Sequence, residues 1–228
     1  MATLNKSVLG KVSGAVGDIL FRQREGKNFI GLKPGSFIPG TDPASVERRQ
    51  RFLLALKSGS SVNAVSELKD LWADVTPAGN SPFNYIVKTN YRYVTSTTVS
   101  DLLQIVPDGG FGVTISANSI DRTRVRMTVD PIGSNAGIDP LLEPNIMAAC
   151  VMFLSTPLDE SVGAYSLLNV VSASQPINLA QQLSFDADLT GQQQVIFDKY
   201  QDKKTFAAFI TLDAAGVSVH YSITSLLS

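Results

Sequence analysis

The chain has 228 residues, enough for one large β-rich domain or for a small domain beside a sandwich, with a sizeable core in either case. A formal net charge of -1 provides no global basic footprint for nucleic acid, and a single cysteine, Cys150, excludes an intrachain disulfide. No run approaches the ~18 apolar residues of a membrane span, and the start, MATLNKSVLGKVSG, lacks the uninterrupted apolar stretch of a secretory signal. A soluble chain made and kept in a cytoplasm, or carried out on a particle, is the expectation.

The first segment, residues 1–40, is a polar, glycine-spaced leader followed by GAVGDILFRQREGKNFIGLKPG. That stretch reads as two short strands joined at Glu25-Gly26. Period-two alternation pairs Phe21 with Ile30 and Ile19 with Leu32 on one face. Leu20, Arg22, Arg24, Lys27 and Phe29 fall on the other. An isolated hairpin is marginal in water, so its apolar face needs a cover. The candidate partner-facing residues are Ile19, Phe21, Arg22, Arg24, Lys27, Phe29, Ile30, Leu32 and Lys33. The glycines Gly10, Gly14 and Gly17 are spaced like a weak phosphate loop, but no Gly-Lys-Ser/Thr ending follows them. PGSFIPG closes the segment as a linker.

Residues 41–95 read as helical. Asp42 is an N-cap with Pro43 at the first helical position. Val46, Phe52, Leu53 and Leu56 form an apolar side, and Val62, Val65, Leu68, Trp72 and Val75 continue at helical spacing. A third helix begins with Ser81 as cap and Pro82 first, its Phe83, Ile86, Val87 and Val94 facing inward. Trp72 is expected to be buried. Tyr85, Tyr91 and Tyr93 fit packing beneath a sheet better than a stacking surface for bases.

Residues 96–228 read as an antiparallel, immunoglobulin-like β-sandwich of short strands separated by turn signals. RTRVRMTVD alternates strictly, NIMAACVMFLS is an apolar strand holding Cys150, and QQQVIFDKY is taken as a further strand. Residues 130–144 form a long surface loop. A C-terminal hairpin turns at Ala214-Ala215-Gly216, with Val217, Val219, Tyr221 and Ile223 on one face and Ser218, His220 and Ser222 on the other. The fold class is therefore α+β, mainly β.

Chemistry is sparse. His220 is the only histidine, so a zinc site would need carboxylates and a serine nucleophile would have no other imidazole as base. Asp186, Asp188, Asp198 and Asp202 are the nearest approach to a carboxylate cluster, in a pattern typical of a solvated face. No catalytic, cofactor-binding or metal site is assigned. Charge is uneven along the chain: residues 1–57 hold ten Lys/Arg and four Asp/Glu, residues 101–228 six and thirteen. This asymmetry fits a basic arm for nucleic acid, complementary ends that attract between copies, or two solvated surfaces of opposite sign.

The order of parts resembles a family of proteins common in Bacteroidota genomes and their phages. The resemblance is carried by Gly14, Gly17, Arg22, Gly26, Lys27, Lys33 and Pro34 in the hairpin, and by Arg48, Arg49 and Phe52 in the helical stretch. Ser81, Phe83, Asn84 and Asn90 complete it; beyond about residue 95 it is one of architecture alone. It implies virion or mobile-element material and no activity. The expectation is a non-enzymatic structural or assembly protein, a head or tail accessory subunit that self-associates or joins other virion proteins through its N-terminal arm. A host-encoded immunoglobulin-like binding module, or a weak and non-specific nucleic-acid binder, stays open. No membrane partner and no small-molecule substrate are expected.

Overall fold

The computed structural model describes residues 2–4, 13–24, 27–36 and 38–227. Of the expectations above, Gly10, the Glu25-Gly26 loop and Phe37 of the linker lie outside these residues. The chain divides into two compact units, Met1–Val46 and Glu47–Ser228.

The first unit contains β1 (Ala2–Leu4), β2 (Gly14–Val16), β3 (Ile19–Arg24) and β4 (Lys27–Leu32), an antiparallel sheet in the order β1-β4-β3-β2. The β3–β4 register is the expected one, with Ile19 opposite Leu32 and Phe21 opposite Ile30. The leader is more than a leader: it supplies a strand on each side of the hairpin. Val16 pairs with Ile19 across the two-residue turn Gly17-Asp18. Gly17 takes a φ of 58°, the positive value that a tight hairpin turn asks of its first central residue. Its role is thus a turn, where the spacing had hinted faintly at phosphate.

The second unit is layered. Its helices are α1 (Pro43–Asn63, whose first turn belongs to the other unit), α2 (Ser66–Val75), α3 (Pro82–Asn90) and α4 (Gly191–Phe197). Asp42 caps α1 by accepting from the Ser45 amide at 2.9 Å, and Ser81 caps α3 by accepting from the Asn84 amide at 3.2 Å. A small sheet has the order β10-β6-β5, from β5 (Ile115–Ile120), β6 (Arg124–Val129) and β10 (Leu183–Asp188). The large sheet is antiparallel with a β12-β11-β7-β8 path, from β7 (Asn145–Pro157), β8 (Tyr165–Val171), β11 (Tyr200–Leu212) and β12 (Ser218–Tyr221). Two short strands join it, β9 (Gln175–Pro176) on β7 and β13 (Ser225–Leu227) on β11.

Alternation along β7 and β11 explains the layering. Ala149, Val151, Phe153, Phe206, Ala208 and Ile210 share a core with Leu54, Leu68, Trp72 and Ile86 of the helices. Ala148, Cys150, Met152, Ala207 and Phe209 point the other way, into a second core with Val125, Met127 and Phe185 of the small sheet. The Phe185 and Phe209 rings meet at 5.0 Å between centroids. The large sheet is therefore covered on both faces, which is why β7 reads as an unbroken apolar run rather than as an alternating one.

Three local expectations are corrected. QQQVIF is helix α4, not a strand; Thr190 and Gln193 form a reciprocal capping box at its start, a signal legible in the sequence. Along α1 the inward residues are Leu54, Ala55, Ser58, Gly59 and Val62, while Phe52 and Leu53 are half exposed. Small residues face the core because α3 crosses there: a Cβ on Gly59 would lie 2.6 Å from Val87 Cγ2. Val75, expected beside Leu68 and Trp72, is exposed at the end of α2. Trp72 itself is buried and donates its indole N–H to the Ile105 carbonyl at 3.0 Å.

Candidate interaction surfaces

In the N-terminal sheet the register aligns Val16, Ile19 and Leu32 as one row across β2, β3 and β4. Their exposures are 70%, 43% and 81%. Phe21 and Ile30 form the next row on that face and are half-buried. Arg22, opposite Phe29, and Lys27, opposite Arg24, belong to the reverse face by strand alternation. Arg22, Lys27 and Lys33 are exposed, and Phe29 is half-buried. Sequence reading had named every one of these residues but Val16. The signal for Val16 is the Gly-X turn that follows it.

The remaining titratable groups are placed by the second unit. Asp186 bonds Arg126 at 2.7 Å and Arg124 at 3.5 Å across the small sheet, and Arg124 also reaches Asp188 at 3.3 Å. The Arg126 hydrogen bond holds the Asp186 carboxyl below the usual range. Asp198 pairs with Arg122 at 2.8 Å, and Asp202 accepts from the Thr156 hydroxyl. Asp186 and Asp188 form a solvated ladder of ion pairs with Arg124 and Arg126, while Asp198 pairs separately. Burial pushes the Cys150 thiol up to about 12. Tyr85 meets Trp72 edge-on at 5.8 Å, and Tyr91 lies 4.5 Å beneath the Arg51 guanidinium, so both serve packing.

His220 has a partner that the sequence did not reveal. Its Nδ1 lies 2.8 Å from Glu143 Oε1, from the segment read as surface loop. Glu143 is only 2% exposed and also accepts from the Thr211 hydroxyl; Thr211 Oγ1 in turn accepts from the His220 amide at 2.9 Å. A carboxylate on Nδ1 fixes the tautomer of a neutral imidazole and leaves Nε2 as the acceptor. The ring lines a cavity of about 470 Å³ with Gly109, Phe111, Ile132 and Tyr221. Gly110, in the same wall, sits so close to the Ser222 backbone that a Cβ would lie 2.5 Å from its carbonyl carbon. The lining thus brings the His220 imidazole together with the Phe111 and Tyr221 rings.

A second cavity of about 190 Å³ shares Gly109 and is lined by Leu102, Ile223, Asp101 and Asp108. Val217, Val219 and Ile223 are each about half exposed, and Leu102 more so, but the one face expected for Val217, Val219, Tyr221 and Ile223 is broken. The β11–β12 pairing shifts register between Ile210 and Leu212, so Ser218, opposite Leu212, and Tyr221, opposite Ile210, share the helical side. Tyr221, between Val219 and Ile223, packs against the helical core. Burial first, and then the nearby charges of Asp108 and Asp74, push the Tyr221 hydroxyl above its ordinary value.

No family model and no curated protein sequence matches the chain. Among the described residues no helix is long and apolar enough to cross a membrane.

Proposed function

We propose that this protein is a non-enzymatic structural subunit that assembles through its N-terminal sheet, as an accessory component of a phage or phage-like particle. The observation that carries the assembly reading is the Val16–Ile19–Leu32 row. It lies on a four-stranded sheet that forms a compact unit by itself, and it presents large apolar side chains to solvent. A contiguous apolar row on a small sheet marks a contact surface. The particle context rests on the resemblance carried by Gly14, Gly17, Arg22 and the later landmarks. The cations Arg22, Lys27 and Lys33 set the charge of the surface without any base-reading motif beside them.

The test is the size of the full chain in solution, by sedimentation and mass photometry over a concentration series. Wild type is expected to associate, and Ile19→Asp with Leu32→Asp to remain folded and monomeric. A wild-type chain that stays monomeric at high concentration, or a doubly substituted chain that assembles as wild type does, overturns the reading.

A further inference from the structure

We infer that the groove between α1 and α3 receives an acidic amphipathic helix of a partner protein. Every residue concerned lies in Glu47–Ser228, so the inference stands apart from assembly through the N-terminal row.

The helical core takes one side of α1, led by Leu54, Ala55 and Val62. The helix carries further apolar residues that this core does not absorb: Phe52 is 51% exposed, and Leu53 is half exposed beside it. α1 and α3 touch at two places. At one, Val87 closes over Gly59; at the other, the Arg51 guanidinium donates to the Tyr91 carbonyl at 3.0 Å. Between these contacts the two helices leave a groove of about 400 Å³, lined by Phe52, Leu56, Asn84, Val87, Lys88 and Tyr91. Its floor is apolar, and an apolar floor open to solvent marks a contact surface.

The rim is cationic. Lys88 is exposed, lines the groove itself, and has no carboxylate within ion-pair distance among the described residues. Arg51 lies 4.5 Å from the centroid of the Tyr91 ring; its partners there are a ring and a carbonyl, which position the guanidinium without neutralising it. Together α1 and α3 hold five Lys/Arg and a single acid, Glu47, at the start of α1. An apolar floor with cationic borders complements a helix that carries apolar residues on one face and carboxylates beside them. The floor runs from Asn84 to Tyr91, roughly 10 Å of helical rise, which matches about two turns of a partner helix with anchors at i, i+3 or i+4, and i+7.

Other occupants fit less well. The chain's own acidic helix is α2, with Glu67, Asp70 and Asp74, and its apolar residues Leu68, Leu71 and Trp72 are buried in the helical core. A second copy therefore offers no free helix of this kind among its described residues. For a nucleic acid the groove would need a ring face open to a base, and the Tyr91 ring carries the Arg51 guanidinium instead.

The probe is a fluorescein-labelled helical peptide with leucine at i, i+3, i+4 and i+7 and glutamate and alanine elsewhere, titrated with the full-length chain and followed by anisotropy. The acidic peptide is expected to bind, and the same peptide with lysine for glutamate to bind at least about tenfold more weakly. Phe52→Ala is expected to weaken the acidic peptide about tenfold, and Lys88→Glu to weaken it and to reduce its preference over the lysine peptide. Both positions are exposed, and circular dichroism and thermal melting establish folding; if Phe52→Ala does not fold, Lys88→Glu decides. An acidic peptide that does not bind, a lysine peptide that binds equally, or folded variants that bind as wild type does overturn the inference. So does Phe52-dependent binding of a single-stranded oligonucleotide or of phosphatidylglycerol vesicles in place of the peptide, or self-association that Phe52→Ala abolishes, which assigns the groove to a second copy. The chain carrying Ile19→Asp and Leu32→Asp is expected to bind the acidic peptide as wild type does, so failure of the assembly reading and failure of the groove are read separately.

Discussion

Trp72 and Cys150 show what single residues do in the two cores. Trp72 fills the helical core, meets Tyr85 edge-on and satisfies the Ile105 carbonyl, so it fixes the 100–108 loop as well as α2. Trp72→Ala is expected to cost about 3–5 kcal/mol, read from the shift in denaturation midpoint at constant slope. Cys150 lies in the other core, where desolvation alone raises its thiol. An unfolded thiol ionises near ~8.5. The folded chain keeps a proton that the unfolded chain releases, so the stability due to this group is complete below about pH 8.5 and declines as the pH rises towards about 12. The decline is at most about 1.4 kcal/mol per pH unit. Urea melts across that range are expected to show it, and the same melts on Cys150→Ala to lack this component. An identical slope in the variant would assign the effect to another group.

Among elements, α1 shows how a helix is positioned by what it omits. Ala55, Ser58 and Gly59 present little side chain, and α3 approaches closely enough for Val87 to occupy the space above Gly59. Gly59→Ala gains about 1 kcal/mol of helix propensity. It also forces a Cβ into Val87, an overpacking that costs about 1–3 kcal/mol. Net destabilisation is expected, and Gly59→Ala combined with Val87→Ala should cost less than the sum of the two, a coupling that thermal melts on the double-mutant cycle measure. On β7 the burial of both faces has the same logic in another form: neither side chain direction is free for a polar residue, so the strand carries apolar residues at consecutive positions.

At the scale of the whole molecule, both cores begin and end within Glu47–Ser228. Deleting residues 1–40 leaves Asp42 to cap α1 and removes no residue of either core. The shortened chain is expected to keep its near-ultraviolet dichroism and melt within a few degrees of the full chain, while losing association. Loss of cooperative melting would show that the N-terminal unit is required for the fold of the rest.

Features governed by neighbours in the chain were legible in the sequence. The hairpin register followed from period-two alternation and a two-residue loop, and Asp42 and Ser81 announced their helices by capping chemistry. Burial of Trp72 followed from helical spacing. The sequence also carried a capping signal for α4, obscured by the apolar residues after it. Other features required tertiary structure. Glu143 meets His220 across 77 positions, and the inward face of α1 is defined by α3, not by its most apolar residues. The side chains of β12 do not simply alternate, because its pairing with β11 shifts register between Ile210 and Leu212. Local signals arise from hydrogen bonds and side-chain directions within a few residues, which the order of residues dictates. Which surface covers which is decided by packing between distant segments, and no short stretch of sequence encodes it.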